Sequence, residues 1–131
     1  MFNRRHFIGA MAAAGALSLS PLAAAMAPQA YSEKAFAAAQ AAGKPILLHV
    51  TAPWCPTCKA QKPILSKLEG EPKFGGLVAF DIDFDTSKAL LRKLHVAQQS
   101  TLIVYKGKKE VGRSTGDTDA GSIEALLAKA I

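Results

Sequence analysis

Ile46-Leu47-Leu48-His49-Val50-Thr51-Ala52-Pro53-Trp54-Cys55-Pro56-Thr57-Cys58-Lys59 is the stretch that decides how this chain folds. Its first six residues, Ile46 to Thr51, are an almost continuous apolar run, the pattern of a strand buried on both faces and therefore central in a sheet. A turn at Pro53 to Pro56 follows. From Thr57 to Glu69 the apolar residues Ile64, Leu65 and Leu68 recur at helical spacing around Pro63, which predicts a kinked helix. Cys55 and Cys58, the only two cysteines, therefore stand just after a buried strand and at the start of a helix.

That placement has a specific chemical use. A helix N-terminus presents unpaired amides and the positive end of the helix dipole, which stabilise an anion, so Cys55 is expected to lose its proton more readily than a free cysteine. The thiolate is the nucleophile. Cys55 can attack a disulfide in a partner, and Cys58, one turn later and expected to be the more enclosed, can resolve the mixed disulfide by attacking Cys55. A purely structural disulfide is a weaker explanation, because two cysteines separated by two residues close a tiny loop and loop-closure stabilisation grows with loop size. A zinc site needs two further ligands. His6 falls in the leader described below, and His49 and His95 stand at spacings that match no familiar finger.

Outward from this stretch the pattern continues on both sides. Tyr31 to Ala42 is alanine-rich, with Tyr31, Ala35, Phe36 and Ala39 on one face, and reads as a helix capped by Ser32 and stopped by Gly43. Leu77 to Asp83 is a second apolar strand, and Ser87 to Leu94 a helix, with His95 at its end. Thr101 to Tyr105 and Glu110 to Ser114 flank the turn Lys106-Gly107-Lys108-Lys109 and read as a hairpin. Ser122 to Ala130 closes the chain as a helix, with Asp119 placed to cap it and Ile123, Leu126 and Leu127 facing inward. The order αβαβαββα, free of repeats and long linkers, predicts one α/β domain with a central mixed sheet flanked by helices.

The chain has 131 residues, half of them apolar and a fifth charged, a composition that suits one globular domain and excludes a disordered chain. Its first stretch stands apart. Arg4 and Arg5 precede an apolar segment that lacks any acidic residue and ends in Ala23-Ala24-Ala25, the layout of a secretory signal peptide. The expected cut follows Ala25, giving a leader of residues 1–25 and a mature domain of residues 26–131. The run from Phe7 to Leu19 is too short and too diluted by glycine, alanine and serine for a membrane anchor. Arg4, Arg5, Phe7 and Ile8 also resemble a twin-arginine signal, with Gly9 where a polar or basic residue is usual. Without Arg4 and Arg5 the mature chain keeps 14 of the 16 basic residues against 10 acidic ones, a mild charge of +4. Lys106, Lys108 and Lys109 cluster at the hairpin turn without aromatic interleaving, so no nucleic-acid partner is expected.

Trp54-Cys55-Pro56-Thr57-Cys58-Lys59 resembles the Trp-Cys-x-x-Cys-Lys active site of the thioredoxin family, and the likeness extends over nearly the whole mature chain. Pro63-Ile64-Leu65 is similar to the proline-kinked segment that follows the family's cysteines, and Gly116 falls where the family has a glycine after its hairpin. The resemblance implies a thioredoxin-like fold, an attacking thiol at Cys55, a resolving thiol at Cys58, and a partner-facing surface that includes Trp54, Pro56 and Thr57. The Pro-Thr dipeptide is similar to that of thioredoxin-like reductants of cytochrome c maturation, although their extra insertion is missing. Gly43-Lys44-Pro45 resembles the opening of periplasmic reductant domains.

Two positions depart from the family. His49 stands where a buried carboxylate usually helps to deprotonate the resolving thiol; a neutral imidazole there can take up a proton, or be no more than a core histidine satisfied by the backbone. Ser100, followed by Thr101, stands where the family has a cis-proline facing the cysteines. A cis bond without proline is costly, so a trans peptide is expected, or a cis one held by strain. Ser100 brings a hydroxyl and an amide close to the sulfurs, able to bind substrate or to open the site to a metal ion.

The expected activity is thiol-disulfide exchange with periplasmic proteins, more as reductant than oxidant, by a monomer that needs no bound cofactor and draws electrons from an upstream thiol donor. The alternative is a periplasmic protein that binds or delivers copper(I) or an iron-sulfur unit through Cys55 and Cys58, with Ser100 or His49.

Overall fold

Five strands form one mixed sheet in the computed structural model, which describes Gly15 and residues 27–131. The expected leader and its cut after Ala25 lie, Gly15 apart, outside the described residues. In chain order the elements are β1 (Gln29–Ala30), α1 (Glu33–Ala41), β2 (Pro45–Thr51), α2 (Pro56–Glu69), a 3-10 turn (Pro72–Phe74), β3 (Val78–Asp83), α3 (Lys88–Lys93), β4 (Thr101–Lys106), β5 (Lys109–Thr115) and α4 (Ala120–Ala128). The strand order across the sheet is β1-β3-β2-β4-β5. β3 runs parallel to both β1 and β2, whereas β4 is antiparallel to β2 and to β5.

β2 lies at the centre, as its apolar run predicts, and the alternation of side chains along it divides the core in two. Leu47 faces a cluster with Leu65 and Leu68 of α2 and Ile123 and Leu127 of α4. Ile46, Leu48 and Val50 face the other way, where Phe36 of α1, Leu91 of α3 and Phe80 of β3 pack. Phe36 meets Tyr105 with ring centroids 5.3 Å apart, so α1 is held to β4 by aromatic edges.

The helix ends follow their sequence signals. Ser32 accepts the Ala35 N–H at 3.0 Å and Asp119 accepts the Ser122 N–H at 2.7 Å, each as an N-cap. α1 stops at Gly43, whose φ of 70° lets the Lys44 N–H reach back to the Ala39 carbonyl at 3.1 Å. α3 ends the same way without a glycine. His95 takes φ 57°, and the Val96 N–H donates to Leu91 at 2.8 Å, which makes His95 the helix-end residue expected.

Differences from expectation are confined to short pieces. β1 is added at the sheet edge, because two residues are too few to show any periodicity. The hairpin turn tightens to Gly107-Lys108, since Lys106 and Lys109 already pair across the ladder.

Register also aligns one row across four strands. Asp81, His49, Leu102 and Ser114 are successive neighbours across β3, β2, β4 and β5. This row runs beneath α2.

Candidate functional site

Cys55 is the N-cap of α2 and Cys58 lies in its first turn, and the two form a disulfide with Cα atoms 5.3 Å apart. Pro56 occupies the first helical position, where its missing N–H is no loss. Cys55 Sγ accepts the Cys58 N–H at 3.1 Å. A thiolate at the same atom would meet the same donor and the same end of the helix dipole. The expected difference in enclosure is not found: Cys55 is 1% exposed and Cys58 0%. With Ala52 and Phe84 packed beside the pair, both sulfurs sit just below the surface rather than one above the other.

What stands proud is Trp54, which is 55% exposed. Its Nε1–H donates to Asp85 Oδ2 at 2.9 Å and its ring lies edge-on to Phe84 at 6.4 Å. The loop after β3 that carries both partners is itself tied down, because Asp83 Oδ1 accepts the N–H groups of Asp85 and Thr86 at 2.8 and 3.0 Å. Pro56 is exposed and Thr57 half-buried on the same rim.

Of the two residues expected to face the cysteines, Ser100 is brought to the pair and Thr101 is turned away, lining a separate cavity with His95, Gln98 and Arg113. No cis peptide occurs among the described residues, and Ser100 has φ 58°. Its N–H donates to the Val50 carbonyl at 2.8 Å, and Cys58 Sγ lies 3.9 Å from that same oxygen, so the sulfur and the loop meet at one atom. Ser100 Oγ donates to the Gln99 carbonyl at 2.6 Å, and Thr101 Oγ1 donates to the Gln98 carbonyl at 2.8 Å while meeting Thr115 Oγ1 at 3.1 Å. The hydroxyl and amide expected to be available at Ser100 are thus already engaged within the chain.

Gln61, which sequence reasoning passed over, lies buried one turn beyond Cys58 on the face that also holds Leu65 and Leu68. Its Nε2 donates to the carbonyls of Ser100 at 3.1 Å and Asp117 at 2.9 Å. Carbonyls only accept, so both amide hydrogens are committed and Oε1 is turned to His49 Nε2, 2.9 Å away. That nitrogen of His49 must therefore carry the hydrogen. The remaining nitrogen, Nδ1, faces Asp81 Oδ1 at 3.8 Å, on the side of β3. Burial pushes His49 below the ordinary histidine range, against the upward pull of Gln61 and Asp81, so the ring is neutral near pH 7.

Beneath His49 is a cavity of about 140 Å³ lined by His49, Lys62, Ser66, Glu69 and Asp81 among others. Glu69 is buried at the end of α2, and burial, reinforced by Asp81, pushes its carboxyl up to about 7. Among the described residues no group of three or more His, Cys, Asp and Glu side chains is arranged to hold a metal ion. A polar residue on an otherwise apolar helical face is the signal that marks Gln61 in the sequence. Glu69 carries no such mark, being the last residue before the Gly70 stop.

Known proteins match this arrangement along most of the chain. The thioredoxin family profile matches residues 27–129. Thioredoxin of Chlamydia trachomatis serovar D is 34% identical over 101 residues, which cover 77% of this chain and 96% of that protein. The crystal structure of Trxlp from Edwardsiella tarda superimposes with a TM-score of 0.75 at 44% identity, covering 77% of this chain and 98% of that one. The thiol:disulfide interchange protein DsbE of Yersinia pestis is 36% identical over 76 residues, 56% of this chain and 38% of its own length.

Proposed function

The chain belongs to the thioredoxin family and is a thiol-disulfide oxidoreductase, and from that premise we propose that it serves outside the cytoplasm as a reductant of protein disulfides. The observation that carries the chemistry is the Cys55–Cys58 disulfide at the N-terminus of α2, with the exposed ring of Trp54 beside it. In the reduced form the Cys55 thiolate attacks a partner's disulfide. A bond forms between Cys55 and one partner sulfur, and the other leaves as thiolate. Cys58, once deprotonated, attacks Cys55; the mixed disulfide breaks, the second partner thiol leaves, and two electrons have passed to the partner. The oxidised pair described above is the product of that cycle, and an upstream dithiol donor reduces it back to two thiols, becoming a disulfide itself.

Trp54 suits a docking surface because its ring is exposed yet held by Asp85, so little side-chain freedom is lost on contact. For His49 the geometry favours a part in the hydrogen-bond network over direct proton uptake from Cys58, since the nitrogen turned to α2 already holds a hydrogen. Export rests on the leader of residues 1–25, which leaves residues 26–131 to act as a monomer in the periplasm. The direction of electron flow rests on the likeness of Gly43-Lys44-Pro45 and of Pro56-Thr57 to reductant domains.

Insulin reduction by a dithiol tests the chemistry, and partner trapping tests the setting. Purified residues 26–131 are expected to accelerate precipitation of reduced insulin chains, and Cys55→Ser to abolish the acceleration. Cys58→Ser is expected to accumulate mixed disulfides with proteins of a periplasmic extract. Rapid oxidation of dithiols with negligible insulin reduction would reverse the proposed direction.

A further inference from the structure

Ser100, with φ 58°, occupies a left-handed backbone conformation that a residue with a Cβ adopts only under strain, and it does so where the loop passes the disulfide. Something must hold it there. Three hydrogen bonds act on its backbone: its N–H donates to the Val50 carbonyl at 2.8 Å, and its carbonyl accepts from the Gly116 N–H and from Gln61 Nε2, both at 3.1 Å. Two of these are backbone bonds and independent of side-chain identity. The third comes from an amide on the helix that carries both cysteines.

Gln61 is also an unusual choice for its position. It is buried on the helical face shared by Cys58, Leu65 and Leu68, where an apolar residue would pack without any need for partners. An amide is tolerated there because both its N–H hydrogens and its oxygen have partners, with His49, Ser100 and Asp117 on three separate segments. The side chain thereby ties α2 to β2, to the loop before β4 and to the loop after β5.

We propose that Gln61 is a positioning residue, whose amide holds Ser100 in its left-handed conformation and so sets the wall against which a partner's chain lies beside Cys55 and Cys58. Its importance for turnover rests on the oxidoreductase function proposed above. The hold on Ser100 itself does not, and the two are separated by the measurements chosen. The proposal explains how a loop without a locked proline keeps one shape next to the sulfurs: the restraint has moved from the loop into the helix.

The first measurement needs no activity. In oxidised Gln61→Leu the amide hydrogens of Ser100 and Gly116 are expected to exchange with solvent roughly tenfold faster than in the wild type, because the Ser100 carbonyl loses a buried donor. Unchanged exchange at both amides would overturn the proposal. The second uses insulin as the protein disulfide. Gln61→Leu is expected to raise KM more than it lowers kcat, and Ser100→Gly in the same chain, by removing the strain at φ 58°, to recover part of the loss. Strictly additive losses in the double variant would show that Gln61 acts elsewhere than through Ser100 and would sink the assignment. Should Gln61→Leu fold poorly, Gln61→Glu, which keeps the volume but cannot donate twice, takes its place in both measurements. A wild-type protein inert towards insulin would remove the proposed function and leave the exchange result to decide the positioning role.

Discussion

Glu69 places a buried carboxyl in the cavity beside Asp81, and its behaviour with pH follows from that. Its ordinary value near 4.5 is raised to about 7 by burial first and Asp81 second. An acid raised in the folded state contributes stability that is fully present below about pH 4.5 and is lost as the pH climbs through about 7. Glu69→Gln is therefore expected to raise the thermal midpoint by a few degrees at pH 8 and to leave it nearly unchanged at pH 4.5, as read by circular dichroism. A variant whose midpoint shifts equally at both values would contradict this assignment. The cysteines were legible from their spacing alone, and the engagement of His49 was not, because an isolated histidine on a strand does not show which of its nitrogens will face a donor. Only the folded position of Gln61 decides that.

Between elements, a close approach of two backbones is made by the glycines that end α1 and turn the hairpin. A Cβ on Gly107 would lie 3.3 Å from the Gly43 Cα, Gly107 has φ 59°, and its N–H donates to the Lys44 carbonyl at 2.9 Å. Gly107→Ala combines backbone strain with a backbone contact that has no side-chain freedom to yield. It is expected to cost about 2 kcal/mol, more than Gly43→Ala, whose Cβ would meet open space and which carries the left-handed penalty alone. Urea unfolding of both variants ranks them, and a reversed ranking would contradict the proposed crowding. α1, β2, α2 and α4 were legible because each has a period, a cap or a stop in its sequence. β1 was not, since its two residues pair with β3 only once the sheet exists.

At the scale of the molecule, the alternation of helix and strand was enough to predict one mixed sheet with helices on both faces, since few other arrangements bury so many apolar strands. The proposed address of the protein is a separate matter and rests on residues 1–25. Fused to a reporter, this segment is expected to deliver it to the periplasm, and replacing Arg4 and Arg5 by lysine to block delivery if the twin-arginine route is used. A fusion that stays in the cytoplasm would withdraw the proposed location while leaving the thiol chemistry intact. The meeting of Ser100 and Cys58 at the Val50 carbonyl has a consequence for how such a site can change over generations. A carbonyl belongs to the main chain, so no substitution at residue 50 can delete it. That end of the bond is thus outside the reach of point mutation at residue 50, and the mooring is kept by any residue 100 that retains an N–H and accepts the left-handed turn.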